Sequence, residues 1–204
     1  MITRLIWQGK CRYQRLLAVV GANVLAVALW GYGPRVQAQP IHEGFVIGYV
    51  ETTLKDNVYN LDARIYGRLS EQVVEALHKG VTITIVLDFE VWRKRRFWLD
   101  ERIAAVEQRY QLQYHALSDQ YIVSNVNTEV RNSYPSLATA IEVLGTVKSL
   151  PVLDRQLLDP SGRYMARMRT RLDVDALPAP LRIMAYILPG WHLRSEWYTW
   201  RLRI

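Results

Sequence analysis

The residues whose type and spacing could do chemistry begin with Asp88 and Glu90, two positions apart in the run VTITIVLDFEVW. On an extended chain, alternate side chains share a face roughly 6.5–7 Å apart, a separation that inverting glycoside hydrolysis could use, with Glu101 as a further acid. Almost every amphipathic strand offers two such acids, however. The chain also lacks a glycine-rich phosphate loop, a Gly-x-Ser-x-Gly elbow and a dinucleotide fingerprint. These carboxylates are therefore expected to be solvated surface acids, and the chain is not expected to be an enzyme or to carry a cofactor.

Positive charge is concentrated in two places. Arg93, Lys94, Arg95 and Arg96 run into Phe97 and Trp98, a cluster that could meet phosphate, an anionic head group or an acidic partner. It also reads as a hairpin tip partly balanced by Glu90, Asp100 and Glu101. The second place is Arg163, Arg167, Arg169 and Arg171, alternating with Tyr164, Ala166, Met168, Thr170 and Leu172. One face of a strand would then carry like charges, tolerable if water or cross-strand acids screen them. Such a face could protect a sheet edge from aggregation or form a groove for an acidic partner.

Other chemistry is sparse. His42, His78, His115 and His192 show no ligand spacing, so no metal site is expected. Cys11 is the only cysteine and precedes the apolar run, which excludes lipidation there. The tail WHLRSEWYTW places Trp191, Leu193 and Trp197 in one alternating set, expected to close the core. Trp200 and Tyr198 fall in the other set with Arg194, where Trp200 is a candidate partner contact.

These groups need a scaffold, and the hydrophobic period supplies one. Val81–Val91 alternates most cleanly, with Ile83, Ile85, Leu87 and Phe89 against Thr82, Thr84, Asp88 and Glu90; Val86 is the exception on the outer face. Strands are expected also at Phe45–Thr53, Tyr59–Ile65, Ala104–Ala116, Gln120–Val126, Tyr164–Leu172, Leu181–Leu188 and Trp191–Trp200. The period turns helical at Ser70–Lys79, where Ser70 can cap and Gly80 can stop the helix, and at Tyr134–Val147. Ser149–Gly162 reads as an irregular connection. The expected fold is mainly β with an α+β character: an antiparallel β-sandwich-like domain of about 6–8 strands with two short helices.

The N-terminus sets the compartment. Arg4, Lys10, Arg12 and Arg15 precede an apolar run, Leu16–Trp30, and Val36-Gln37-Ala38 follows it with small residues at cleavage spacing. Residues 1–38 therefore read as a cleaved signal peptide or a retained membrane anchor, and 39–204 as a single exported β-rich domain. Residues 1–38 hold five of the 26 basic residues and no acidic one, so 39–204 carry 21 against 19, a net charge of +2. The basic character of the whole chain is thus mostly its leader, and nucleic acid is not an expected partner. Membrane association is expected only through residues 16–33, if the leader is retained.

The run LDARIYGRLSEQVVEALHKGVTITIVLDFEVWR, then FWLDERIA, YHALSDQYIV and WHLRSEWYTW, resembles the exported family called domain of unknown function 4390. The landmarks are the Leu-Ser helix cap, the Tyr-His-Ala-Leu strand end and the Trp-x-Leu-x-Ser-x-Trp tail, together covering about Glu43–Trp200. The resemblance implies an exported protein of Gram-negative bacteria with no established activity, cofactor or catalytic residue. It also implies a gene neighbour encoding a membrane sensor histidine kinase. The functional expectation is a periplasmic envelope interaction or accessory module, acting with a membrane protein such as that kinase. The alternative is a small-ligand or lipid binder with an apolar pocket lined by tyrosine and tryptophan, and a hydrolase ranks below both.

Overall fold

A computed structural model describes residues 43–95 and 99–203. The expected signal or anchor at 1–38, with Cys11, lies outside the described residues, as do His42, Arg96 and Trp98.

The first hairpin is β1 (Gly44–Lys55) and β2 (Val58–Arg68), joined at Asp56 and Asn57, both in the left-handed region that Asp and Asn tolerate in tight turns. Alternation along β2 buries Tyr59, Leu61, Ala63 and Ile65. Helix α1 (Glu71–His78) follows, capped by the Ser70 hydroxyl, which accepts from the Val73 N–H. The central pair is β3 (Ile83–Arg93) and β4 (Glu101–His115), then come β5 (Gln120–Asn125), β6 (Arg131–Tyr134) and helix α2 (Leu137–Leu144). β7 (Thr146–Asp154), β8 (Tyr164–Leu172), helix α3 (Ala179–Ile187) and β9 (Tyr198–Leu202) complete the chain.

Two antiparallel sheets result, ordered β1-β2-β7 and β6-β5-β4-β3-β8-β9. The larger sheet turns Ile83, Ile85, Leu87, Phe89 and Val91 inward, and these join Phe45, Leu61 and Ile65 of the smaller sheet in one core. Helix α1 packs on β4, and α2 packs on β2, β5 and β6, so the helices close the part of the inner face that the small sheet leaves. A chain without cysteine in this region has no disulfide to hold it, so burial is its main support, and β3 at the centre of the larger sheet supplies much of it.

Four expectations are corrected. Leu181–Leu188 is helical, not a strand: a short apolar run is ambiguous by period, and Pro180 in the first turn favours a helix start. The first part of the expected irregular connection, Ser149–Asp154, belongs to β7, an edge strand whose register shifts accommodate Pro151, while Arg155–Gly162 is a 3-10 turn and loop as expected. The helix expected over Tyr134–Val147 is confined to Leu137–Leu144, because Tyr134 pairs in β6 and Gly145 ends the helix. The last strand begins only at Tyr198, since Pro189–Trp191 forms a 3-10 turn and only an isolated bridge links Arg194 to Arg171. The described residues thus hold nine strands and three α-helices, within the antiparallel mainly β class expected.

Candidate functional site

The outer face of β3, β4 and β8 gathers most of the charged candidates. Register sets Glu90 beside Arg167, and Asp88 between Glu107 and Arg169. Arg167 Nε lies 2.7 Å from Glu90 Oε2, and Arg169 Nε and Arg171 Nε lie 2.7 and 3.0 Å from Asp88 Oδ2. Arg109 bridges Glu107 and Asp173 at 2.7 Å each, and Arg171 reaches both at 3.4 and 3.8 Å. Arg102 faces Glu90 at 3.6 Å. Five arginines and four carboxylates are therefore interlocked.

Two tryptophans complete the lattice. The Arg167 guanidinium lies 4.8 Å from the Trp92 ring centre and 4.3 Å from that of Trp197, and Arg169 lies 4.5 Å from Trp197. Trp92 Nε1 also donates to Glu90 Oε2 at 2.7 Å. Burial pushes the Glu90 carboxyl up, but the bonds from Trp92 and Arg167 and the charges of Arg167 and Arg102 outweigh it and hold it below its ordinary value. Burial likewise pulls Arg171 down, and Asp88, Asp173 and Glu107 more than restore it. Beneath the lattice Val86 is fully buried; its neighbours across the strands are Arg109 and Arg171, whose aliphatic stems shield it.

This arrangement alters the reading of the individual candidates. β8 lies between β3 and β9, so its arginine face does not guard an edge. Cross-strand acids screen it. Arg93 pairs with Asp159 at 2.6 Å, Lys94 with Asp100 at 2.5 Å, and Arg95 with Glu101. The described members of the basic cluster are thus matched by carboxylates, which reduces what an acidic partner could gain. Asp88 and Glu90 are committed to arginines, and a carboxyl held ionised as Glu90 is does not suit the role of general acid. Trp197 lies over the arginines instead of in the core, whereas Trp191 is buried as expected. Trp200 points inward, its ring 5.9 Å from Phe89 and its Nε1 3.4 Å from Thr52 Oγ1. The two expectations are exchanged because pairing with β8 slips by one residue between the Arg171–Arg194 bridge and the Met168–Tyr198 pair, which reverses the alternation after Ser195.

A second feature lies on the helical side. Glu71, Val74, Glu75 and His78, one stripe of α1 at i, i+3, i+4 and i+7, face Leu137, Ala138 and Ile141 of α2 across an open cleft of about 830 Å³. Gly67 and Arg68 at the end of β2, Leu69 after them and Glu43 before β1 also line it. The Lys79 ammonium, 2.6 Å from Glu75 by an i,i+4 bond, holds that carboxyl below its ordinary value. His78 is fixed by Tyr121 Oη at 2.8 Å and lies edge-on to Tyr114 at 4.8 Å. Aliphatic walls and a carboxylate rim suit an apolar occupant carrying positive charge. Between the two sheets a space of about 20 Å³ is lined by Phe45, Ile65, Ile85 and Thr170 without tyrosine or tryptophan, and an open one of about 220 Å³ lies where Trp197 and Tyr198 meet Phe45, Val46 and Ile47 of β1.

The model of the family described as domain of unknown function DUF4390 matches residues 42–201, nearly the whole of the described domain. The chain belongs to the DUF4390 family. No curated protein and no solved structure matches it. Membership in DUF4390 assigns no residue a role, so the site rests on the geometry alone. Sequence reasoning missed the α1–α2 cleft, although the spacing of Glu71, Val74, Glu75 and His78 carried the signal. It also missed Trp92, Trp197, Arg102, Arg109, Glu107 and Asp173 as members of the lattice. Only the sheet's register brings them together.

Proposed function

We propose that this DUF4390 protein is an exported periplasmic interaction module that receives a segment of an envelope membrane protein, such as a sensor histidine kinase, in the cleft between α1 and α2. The cleft carries the reading. Two helix stripes facing one another offer the geometry into which an amphipathic helix lays its apolar side, and Glu43 and Glu71 favour lysine or arginine at that helix's margins. The basic leader, apolar run and cleavage-like Val36-Gln37-Ala38 support the location. The interlocked arginines of the sheet are scaffold in this reading, because their charge is already matched.

The same volume lies within the usual range for small-ligand pockets, which favours a second reading: an amphiphilic small molecule with a cationic group. One variant separates the two. Ala138 is exposed on α2, so Ala138→Arg projects a long side chain and a like charge for the partner into the cleft without touching the core. Crosslinking in envelope fractions should capture a membrane protein with the wild type and lose it with Ala138→Arg at unchanged melting temperature. Capture that survives the substitution, or no membrane partner at all, refutes the partner reading. Extra mass in native mass spectrometry of detergent-free protein, lost in Ala138→Arg, would establish the small-ligand reading instead.

A further inference from the structure

From Ala176 to Trp191 the chain runs sixteen residues with one charge, Arg182. Helix α3 lies in this stretch and buries only Ala185. Ile183 is 67% exposed, Met184 53%, Ile187 74% and Leu188 40%, so the helix presents an aliphatic face with nothing from the described residues upon it. We propose that this face of α3 seats on a lipid bilayer, a membrane contact separate from residues 16–33 and from the α1–α2 cleft.

The polar groups nearby argue for hydrocarbon as the occupant. The Arg182 guanidinium is turned back to the Leu177 carbonyl, with Nε at 3.3 Å and Nη2 at 3.0 Å, and the Tyr186 hydroxyl is bonded to Asp175. Along the helix, the Arg182 N–H donates to the Pro178 carbonyl and the Leu188 N–H to the Met184 carbonyl. The exposed aliphatic side chains ask for no hydrogen bond, and a bilayer interior can offer none. A protein partner is a poorer fit: Ile183, Met184 and Ile187 on a nine-residue helix, with Leu188 at its C-cap, fall well short of the roughly 800 Å² per side that a stable protein interface buries.

The test uses the exported form beginning at Gln39, since residues 43–203 contain a closed core of their own. It is mixed with vesicles of phosphatidylethanolamine and phosphatidylglycerol and floated on a density gradient. The comparison is Ile183→Asp/Ile187→Asp, two exposed positions at which melting temperature should not move. Interfacial binding scales with buried apolar area, so the variant should lose about tenfold or more in vesicle affinity. Wild type that stays in the aqueous fraction, or a variant that floats equally well, overturns the proposal. A concentration-dependent dimer in sedimentation, dissolved by the same variant and without flotation, would assign the face to a second copy of the chain and overturn it too.

Discussion

Replacing Arg167 by methionine tests whether the outer lattice holds the larger sheet. The methionine keeps an unbranched stem and removes the guanidinium. Two cation–π contacts are lost, at 4.8 Å to Trp92 and 4.3 Å to Trp197. With the Arg167 side chain 34% exposed, these come to about 1 kcal/mol each, between the exposed and desolvated limits. Glu90, 15% exposed, keeps the Trp92 N–H and Arg102 at 3.6 Å but loses its closest cation. A fully buried pair broken in this way costs about 3–5 kcal/mol and an exposed one below 1, so about 1 kcal/mol is the share here. The total is about 2–3 kcal/mol. For a domain of this size that is a fall in Tm of about 5–10 °C by thermal unfolding. Glu90→Gln alone should cost about 1 kcal/mol, and the double variant should reveal a coupling of about 1 kcal/mol by double-mutant cycle. The folded-state pKa of Glu90 is lowered, so its contribution is present above its ordinary value of 4.5 and is lost as pH falls through the folded value. The coupling should therefore shrink in acid below about pH 4.5, where the protonated Glu90 carboxyl comes to resemble the uncharged amide that Glu90→Gln introduces. An Arg167→Met protein within about 0.5 kcal/mol of wild type at pH 7, or a strictly additive cycle, would refute the reasoning.

Gly145→Ala should destabilise by about 3 kcal/mol in urea unfolding, because a Cβ there would stand 2.0 Å from the Ile65 carbonyl oxygen, and the 2.7 Å bond from Ile65 N–H to Gly145 O pins both backbones. Ser70→Ala should cost about 1–2 kcal/mol in Tm measurements: it removes the α1 cap and leaves the Gly190 carbonyl, now 2.6 Å from the Ser70 hydroxyl, without that donor. Trp200→Ala should cost about 2–3 kcal/mol, below the range for a fully buried ring, since Trp200 packs inward on Phe89 but is only half-buried. If Trp200 were instead an exposed contact, the same substitution would leave stability unchanged and weaken only capture of a partner.

What the sequence revealed and what it withheld divide along a physical line. Period two along Val81–Val91 identifies β3 and its inward side, because an uninterrupted strand keeps one phase from end to end. The same logic gives the buried side of β2 and of β8. It fails where pairing slips by one residue, between the Arg171–Arg194 bridge and the Met168–Tyr198 pair, after which Trp197 and Trp200 emerge on the sides opposite to those their spacing implies. It fails at α3, where a short apolar run satisfies either period. It cannot reveal that Arg167 meets Glu90, 77 residues earlier, because pairing across a sheet is a matter of register, not of neighbours along the chain. The α1–α2 cleft is invisible for the same reason: each wall is a legible stripe, but their juxtaposition is a tertiary event.

The distribution of satisfied and unsatisfied groups then bears on how a partner would be recognised. Arginine faces on a near-neutral domain invite the idea of an acidic ligand, yet Arg167, Arg169 and Arg171 each have a carboxylate within 3.0 Å. A new anion would have to displace a partner already held across the strands, and the exchange of one ion pair for another gains little. Apolar surface is different, because nothing competes for it except water. Val74, Leu137 and Ile141 in the cleft, and Ile183 and Ile187 on α3, are where burial has been left unfinished. Association of this domain should therefore be driven by those two surfaces, with a negative heat-capacity change and only the modest salt dependence that the few cleft carboxylates give. Steep salt dependence in the envelope capture would instead return the arginine lattice to the centre of recognition.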